Sequence, residues 1–251
     1  NLVNIVMRKI KNDDVAIPVD IKWKNIGISL SGGADSALLA YLLCKNLHDN
    51  CKVHISTQIR MWKSRPWQEH ISAEVFDWFV GHFPDLEFER HVNFIPPELE
   101  EPNSTMIKDA YGKMKPGNRI ILRSFNEYLA HKVNLDAWYA AVTLNPDVEF
   151  DGALADRQEP TIDTIMEHMG VTVCHPFVAR KKDWVIEQYI KNDIAELLNI
   201  TRSCEGDNDA YPEVFKGLDY TTYKPGQYVP TCKKCFWCQE RQWGVMNAMQ
   251  K

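Results

Sequence analysis

Two groups of residues in this sequence have the types and spacing to do chemistry. The first is Ser31-Gly32-Gly33-Ala34-Asp35-Ser36. Phosphate binding needs several backbone N–H groups aimed at one point with no side chains in the way, and two glycines followed by a helix N-terminus supply this. A Walker loop requires a Gly-Lys-Ser/Thr ending and a dinucleotide fingerprint requires Gly-x-Gly-x-x-Gly. Neither pattern occurs, so the loop belongs to another class. The bland alternative is a glycine turn with a Ser/Asp helix cap, since caps and turns draw on the same residues.

The second group is Cys232-x-x-Cys235-x-x-Cys238, which has the spacing of a metal site. Seven cysteines are an odd number in a chain too large to need disulfide staples, which points to a reducing compartment. Three thiolates leave a tetrahedral zinc one ligand short, and Cys204 in Thr201-Arg202-Ser203-Cys204 is the preferred fourth, ahead of His175. Four thiolates around Zn²⁺ make a closed, structural site. Iron–sulfur clusters use the same residues, so a cluster is the competing occupant. Cys44, Cys51 and Cys174 sit among apolar residues and read as buried thiols acting as small hydrophobes.

The elements that must position these groups follow from periodicity. Asn25 to Leu30 is a short apolar run closed by Ser31-Gly32-Gly33, and residues 37–47 recur with helical spacing: strand, tight turn, helix. Residues 53–59 predict a second strand, Pro66 opens a helix with Ile71, Val75, Trp78 and Phe79 on one face, and residues 88–95 predict a third strand. Residues 96–117 read as a long loop or lid. A helix over 120–133, a strand over 135–144 ending at Asn145-Pro146, a helix over 161–169 and a strand over 171–174 follow.

This alternation predicts an α/β fold with a parallel twisted sheet flanked by helices, whose ligands bind at the carboxyl ends of the strands, where the glycine loop and Asn145 fall. We divide the chain into a nucleotide-binding α/β domain, 1–178, and a C-terminal zinc-binding helical and loop segment, 179–251. In the latter, residues 184–191 are helical, Asp193 to Glu196 has a capping-box pattern, and the remainder is loop-rich. Lys181 and Lys182 read either as a solvated helix end or, for Lys182, as a phosphate contact. The tyrosine-bearing stretch 205–231 reads as a substrate lid or a partner surface.

Composition narrows the partners. The 45% hydrophobic and 25% charged content is that of a globular protein, and the formal charge of −5 argues against non-specific coating of nucleic acid. No apolar run approaches the length of a membrane helix and no signal-peptide stretch opens the sequence, so a cytoplasmic protein is expected. A small-molecule substrate is the favoured ligand, with no membrane and no extended nucleic-acid partner, and a homodimer is compatible.

Ser-Gly-Gly-x-Asp-Ser between strand and helix resembles the signature of PP-loop ATP pyrophosphatases. The resemblance implies that ATP is bound through Gly32 and Gly33 backbone donors, the Ser31 and Ser36 hydroxyls, and Mg²⁺ on Asp35. Pro176-Phe177, Lys182, Thr201-x-Ser203-Cys204 and Cys232-x-x-Cys235-x-x-Cys238-x-x-Arg241 resemble the C-terminal part of 7-cyano-7-deazaguanine synthases, zinc-bearing PP-loop enzymes of queuosine precursor biosynthesis. The implied reaction is ATP-dependent conversion of 7-carboxy-7-deazaguanine and ammonia to the nitrile, with Asp35, Ser36 and Lys182 catalytic. Asn145, Asp156 and Arg157 are then the substrate-side candidates, surface ion pairing being the alternative role of the last two.

The sequence departs from that family in several places. Gly117-Asn118-Arg119 stands for Gly-Arg-Asn, Thr143 for a glycine, no Tyr-Gly-Gln-Arg-His segment follows the second strand, and Cys204 and Cys232 lie far apart. Two other readings are therefore kept: a PP-loop enzyme adenylating a nucleobase or tRNA base for thiolation or amidation, and a non-catalytic nucleotide-binding partner protein. An exposed, low-pKa Cys174 would favour thiolation.

Overall fold

A computed structural model of the chain describes residues 6–9, 15–48, 50–60, 67–95, 106–108, 114–150, 163–206, 211–218 and 228–251. Its centre is a six-stranded sheet in the order β5-β4-β3-β8-β10-β9, built from β3 (Asn25–Ser29), β4 (Lys52–Arg60), β5 (Glu87–Ile95), β8 (Ala137–Tyr139), β9 (Ile165–His168) and β10 (Val171–Cys174). The first five in that order pair in parallel; β9 is antiparallel to β10. Chain order runs outward from β3 in one direction through β4 and β5, then resumes on its other side at β8. That reversal between β3 and β8 is a topological switch point, where open α/β sheets bind ligands beyond the strands' carboxyl ends.

Helix α1 (Ala34–Cys44) is apolar all round, and every residue except Asp35 is buried. Such a helix belongs in the middle of a fold. It lies with α2 (Gln68–His82), α4 (Lys182–Lys191) and α5 (Ala195–Ile200) over the sheet face of Ile26, Ile28, Val53 and Ile55, in one core with Val75, Phe79, Trp184, Tyr189 and Leu197. Each such aliphatic or aromatic side chain contributes about 1.5–3 kcal/mol on burial. The opposite face carries α3 (Gly117–Lys132), where Leu129, Leu135, Trp138 and Val171 form a second cluster. Gly27 is obligatory on that face: a Cβ would come within 2.6 Å of both Leu135 and Trp138.

Several expectations need correction. The helix predicted over 161–169 is, in its described part, β9 and a turn. Met169 and Gly170 both have positive φ, 51° and 79°, which makes a two-residue hairpin turn, so Gly170 reverses a strand instead of stopping a helix. The sheet is therefore not wholly parallel. The strand read over 135–144 is three residues long, and Ala140 onward is loop. Within the predicted loop 96–117, β6 (Met106–Lys108) and β7 (Met114–Pro116) pair antiparallel. The predicted capping box is absent: Ile194 is the N-cap of α5 with no side-chain cap. Asp193, φ 54°, instead ends α4, with Asp193 N–H on Ile190 and Ile194 N–H on Tyr189, a Schellman pattern.

The loop-rich C-terminus holds α6 (Pro212–Phe215) and the 13-residue α7 (Phe236–Ala248), which packs along α4. Ahead of the sheet, β1 (Val6–Lys9) pairs with β2 (Ala16–Val19), whose Ile17 and Val19 join the main core. Cys44, Cys51 and Cys174 are buried, as their neighbours predict. Among the described residues no helix is long and apolar enough to cross a membrane.

Candidate functional site

The glycine loop leaves the carboxyl end of β3 and turns directly into α1. Gly32 has φ +79°, and a Cβ there would lie 3.0 Å from Ile71 Cγ2 and 3.2 Å from the Ser72 nitrogen, so conformation and space both demand glycine. The two serine hydroxyls close the loop: Ser31 Oγ and Ser36 Oγ are 3.1 Å apart, Gly33 N–H donates to Ser31 Oγ at 3.2 Å, and Ser36 Oγ donates to the Gly33 carbonyl at 3.1 Å. Gln68 at the start of α2 clamps the Ser31 carbonyl at 3.1 Å. The N-cap of α1 is Gly33, with no side-chain cap. This removes the helix-cap explanation of the motif and leaves the first N–H groups of α1, with the positive end of its dipole, to an anion.

Asp35 is at the first turn of α1, and its Oδ2 accepts a hydrogen bond from Lys182 Nζ. Lys182 is 2% exposed and lies 3.5 Å from Glu240, which is 0% exposed. The solvated-helix-end reading of Lys182 is thus wrong; Lys181 is the one facing outward, paired with Asp147. Lys182 opens α4, where a helix dipole disfavours a cation, and two carboxylates from α1 and α7 compensate. Gly244 lets α7 approach, since a Cβ would fall 2.6 Å from Lys182 Cγ. Asp35 Oδ1 is buried and accepts no hydrogen bond among the described residues, a carboxylate oxygen of the kind that ligates Mg²⁺.

The four predicted metal-site cysteines come together. Cys204, Cys232, Cys235 and Cys238 have sulfurs all within 4.8 Å of one another, with Cys204 and Cys232 at 3.5 Å and Cys232 and Cys238 at 3.9 Å. Four thiolates 2.3 Å from one zinc would be about 3.8 Å apart. In a [4Fe-4S] cluster each thiolate binds its own iron, so the sulfurs spread wider, and the 3.5 and 3.9 Å spacings fit a single ion better than that cluster. Backbone N–H groups of Gly206, Cys232 and Cys235 donate to the sulfurs at 3.3 Å. A Cβ on Gly206 would sit 2.8 Å from Cys232 Sγ, so glycine shapes the cradle. Together the four sulfurs form a donor set that could hold one metal ion. His175 is not a member of this group; its Nδ1 lies 3.1 Å from the Asp163 carbonyl.

Loop and cysteines border one another. A cavity of about 120 Å³ is lined by Ser31, Gly33, Asp35, Lys182, Arg202 and Cys204. Residues 202–204 also form a wall of a second cavity of about 800 Å³ reaching Thr201, Tyr228 and Arg241. Arg241 holds the end of α5 through the carbonyls of Leu198 and Thr201 at 2.7 and 3.0 Å. Arg202, which sequence reasoning passed over, stacks its guanidinium 4.5 Å from the Trp67 ring and donates to the Val229 carbonyl at 2.9 Å. Its Nε and Nη2 are buried and make no hydrogen bond among the described residues. No sequence pattern distinguished it from a surface arginine.

Asn145 lies in the loop beyond β8, next to Leu144, whose N–H bonds the Arg180 carbonyl at 2.7 Å, and it does not line the loop cavity. Asp156 and Arg157 lie outside the described residues, as does much of 205–231. The described parts of that stretch pack at the metal site: Phe215 and Val229 join Trp67, Cys204 and Cys232 in a small core. Cys174 is buried, and burial raises its thiol to about 12, which removes the feature that would have favoured it as a sulfur carrier.

Comparison with known proteins adds little to this picture. No family model and no curated protein matches the chain. Among solved structures, the U34-tRNA thiolase NcsA from Methanococcus maripaludis, with its [4Fe-4S] cluster, aligns over 91% of this chain and 57% of its own length, at 13% identity and a TM-score of 0.32. The chain spans 57% of that thiolase, and a likeness at this score carries no argument about activity. The fold and site themselves define a three-layer α/β protein with a doubly wound, mostly parallel sheet, a glycine loop at its switch point and a four-cysteine group that could hold a metal ion beside that loop.

Proposed function

We propose that the protein is a PP-loop ATP-dependent enzyme that adenylates an acidic acceptor. The observation that carries this reading is the uncapped start of α1 behind Ser31-Gly32-Gly33, facing the same cavity as Asp35, Lys182 and Arg202. In this reading the loop N–H groups and Arg202 bind the pyrophosphate portion of ATP, and Lys182, paired with Asp35 in the same cavity, neutralises charge that develops when the bond between the α-phosphorus and pyrophosphate breaks. Mg²⁺, when bound at Asp35 Oδ1, supplies further neutralisation of phosphate charge. The cysteines hold Zn²⁺, whose chemistry here is structural: it fixes residues 202–204 against the loop.

The finer reading is the conversion of 7-carboxy-7-deazaguanine and ammonia to 7-cyano-7-deazaguanine. A carboxylate oxygen attacks the α-phosphorus and pyrophosphate leaves; ammonia then displaces AMP to give the amide. A second ATP adenylates the amide oxygen with loss of pyrophosphate; AMP then leaves with that oxygen and the nitrogen gives up its protons, which yields the nitrile. The support is the sequence pattern from Thr201 to Arg241, together with a closed cysteine site. A hollow of about 400 Å³ beside β8 and β10, lined mainly by apolar groups such as Trp138, Met166 and Val171 with Asn126, His168 and His175 at hand, has the size and character of a site for a planar heterocycle.

The test is incubation with ATP, ammonium and carboxylated deazapurines, with mass spectrometry of products. AMP and pyrophosphate formation together with a nitrile product is expected. AMP formation without any deazapurine product would retire the finer reading, and no ATP cleavage with any acceptor would retire the enzyme reading.

A further inference from the structure

A second group of metal-type donors lies on β4 and β5, on the sheet face opposite the core residues Val53 and Ile55. His54 is the third residue of β4, Glu89 stands directly opposite it as the third residue of β5, and His91 follows two residues on, so all three side chains share one face. His54 Nδ1 and His91 Nε2 are 3.0 Å apart, Glu89 Oε1 lies 3.6 Å from His91 Nε2 and Glu89 Oε2 lies 3.7 Å from His54 Nδ1, with one donor atom of each residue within 4.8 Å of the others. Around one ion with metal–nitrogen bonds of 2.0–2.1 Å, tetrahedral donors are separated by about 3.3 Å. The His54–His91 and His91–Oε1 separations bracket that value.

We infer that His54, His91 and Glu89 form a divalent-cation site for zinc or a neighbouring d-block ion, clipping the edge strand β5 to β4. Two imidazoles and one carboxylate suit Zn²⁺, Cu²⁺ or Ni²⁺ better than Mg²⁺ or Ca²⁺, which take oxygen ligands. The His54 ring is oriented to ligate through Nδ1. Its Nε2 faces Asn25 Oδ1 at 3.5 Å, an outer partner that suits a proton on Nε2 and a free Nδ1 lone pair for the ion.

The neighbouring charges allow access. Glu89 is 44% exposed and opens the site to solvent, while Lys52 sits 2.9 Å from Glu89 Oε2 and leaves Oε1, the oxygen nearer His91, to the cation. Lys132 at the end of α3 also faces His91. None of the three residues lines the glycine-loop cavity, so the role of the site is structural. β5 is an edge of the sheet, and a cross-strand clip is one way to hold an edge.

The test is equilibrium dialysis of the intact protein against Zn²⁺ with metal analysis, comparing wild type with His91→Gln and Glu89→Gln. Wild type should bind one ion per chain more than His91→Gln, whatever the occupancy of the cysteines. Glu89→Gln should weaken that ion by more than the roughly 10–100-fold that loss of an outer partner costs. Added Cu²⁺ should give an electron paramagnetic resonance spectrum coupled to two nitrogens, reduced to one in His91→Gln. His91 and Glu89 lie on an edge strand, so these variants fold; circular dichroism checks that. Equal metal content in wild type and His91→Gln, or a Cu²⁺ spectrum unchanged by the substitution, would overturn the site.

Discussion

The backbone N–H of Arg202 donates to the carbonyl oxygen of Gly32 at 2.9 Å, so the segment carrying the first cysteine is bonded directly to the glycine loop. The four-cysteine group and the glycine-loop cavity are joined through this contact and through the stacking of Arg202 on Trp67. Removing the metal should therefore weaken ATP binding without unfolding the sheet. Loss of one such hydrogen bond is worth about 0.5–1.5 kcal/mol, or roughly two- to thirteenfold in affinity. Calorimetric ATP titration before and after chelation checks it; unchanged affinity in fully stripped protein would show that the two sites are independent.

Asp35→Asn should abolish ATP turnover while keeping the fold, because the amide preserves shape and a hydrogen bond to Lys182 but loses the charge for Mg²⁺. Asp35→Ala should also lower stability, since it strips a partner from a buried lysine. Breaking a buried pair costs up to about 3–5 kcal/mol, and here less because Glu240 remains at 3.5 Å. Denaturant melts of both variants alongside a pyrophosphate-release assay separate the two effects. Wild-type turnover in Asp35→Asn would remove the residue from the ATP site.

Cys204→Ser should reduce bound zinc as much as Cys235→Ser does, because both sulfurs lie in one four-donor group. About one zinc per chain should be lost in each. Full occupancy of this site in the Cys204 variant, read by metal analysis, would mean that another residue completes it.

Cys44, Cys51 and Cys174 should resist a thiol reagent in the native, metal-loaded protein. Burial raises all three thiols, that of Cys174 to about 12, and the thiolate is the reactive form. Chelation should expose four reactive thiols at the metal site and leave these three protected. Cys174→Ser should accordingly retain activity. Rapid labelling of Cys174 before denaturation would restore the sulfur-transfer reading.

Gly32→Ala should destabilise the protein and abolish ATP binding together. An alanine at φ +79° costs of order 1–3 kcal/mol, and its methyl group would press on Ile71 and the backbone of Ser72, tilting α2 away from the loop. A melt and an ATP titration on the same preparation would show both losses; normal ATP affinity would mean that the loop tolerates another shape.

The sequence alone determined what local chemistry can encode. Ser31 to Ser36 declares its turn because Gly-Gly ahead of a helix has few other uses, and the cysteine triplet declares a metal because its spacing matches ligand geometry. Cys204 was also legible, since three thiolates demand a fourth donor. Tertiary structure decided the rest. Lys181 and Lys182 are identical in type and adjacent in sequence, yet one faces solvent and the other is buried between Asp35 and Glu240, because α7 crosses α4 at Gly244. The helical pattern read over 161–169 is overridden in its described part by a local signal, the Met169-Gly170 turn that folds β9 onto β10. Arg202, and the meeting of His54 with Glu89 and His91, depend on packing and strand register. These are contacts between residues tens of positions apart, and no window of sequence contains both partners.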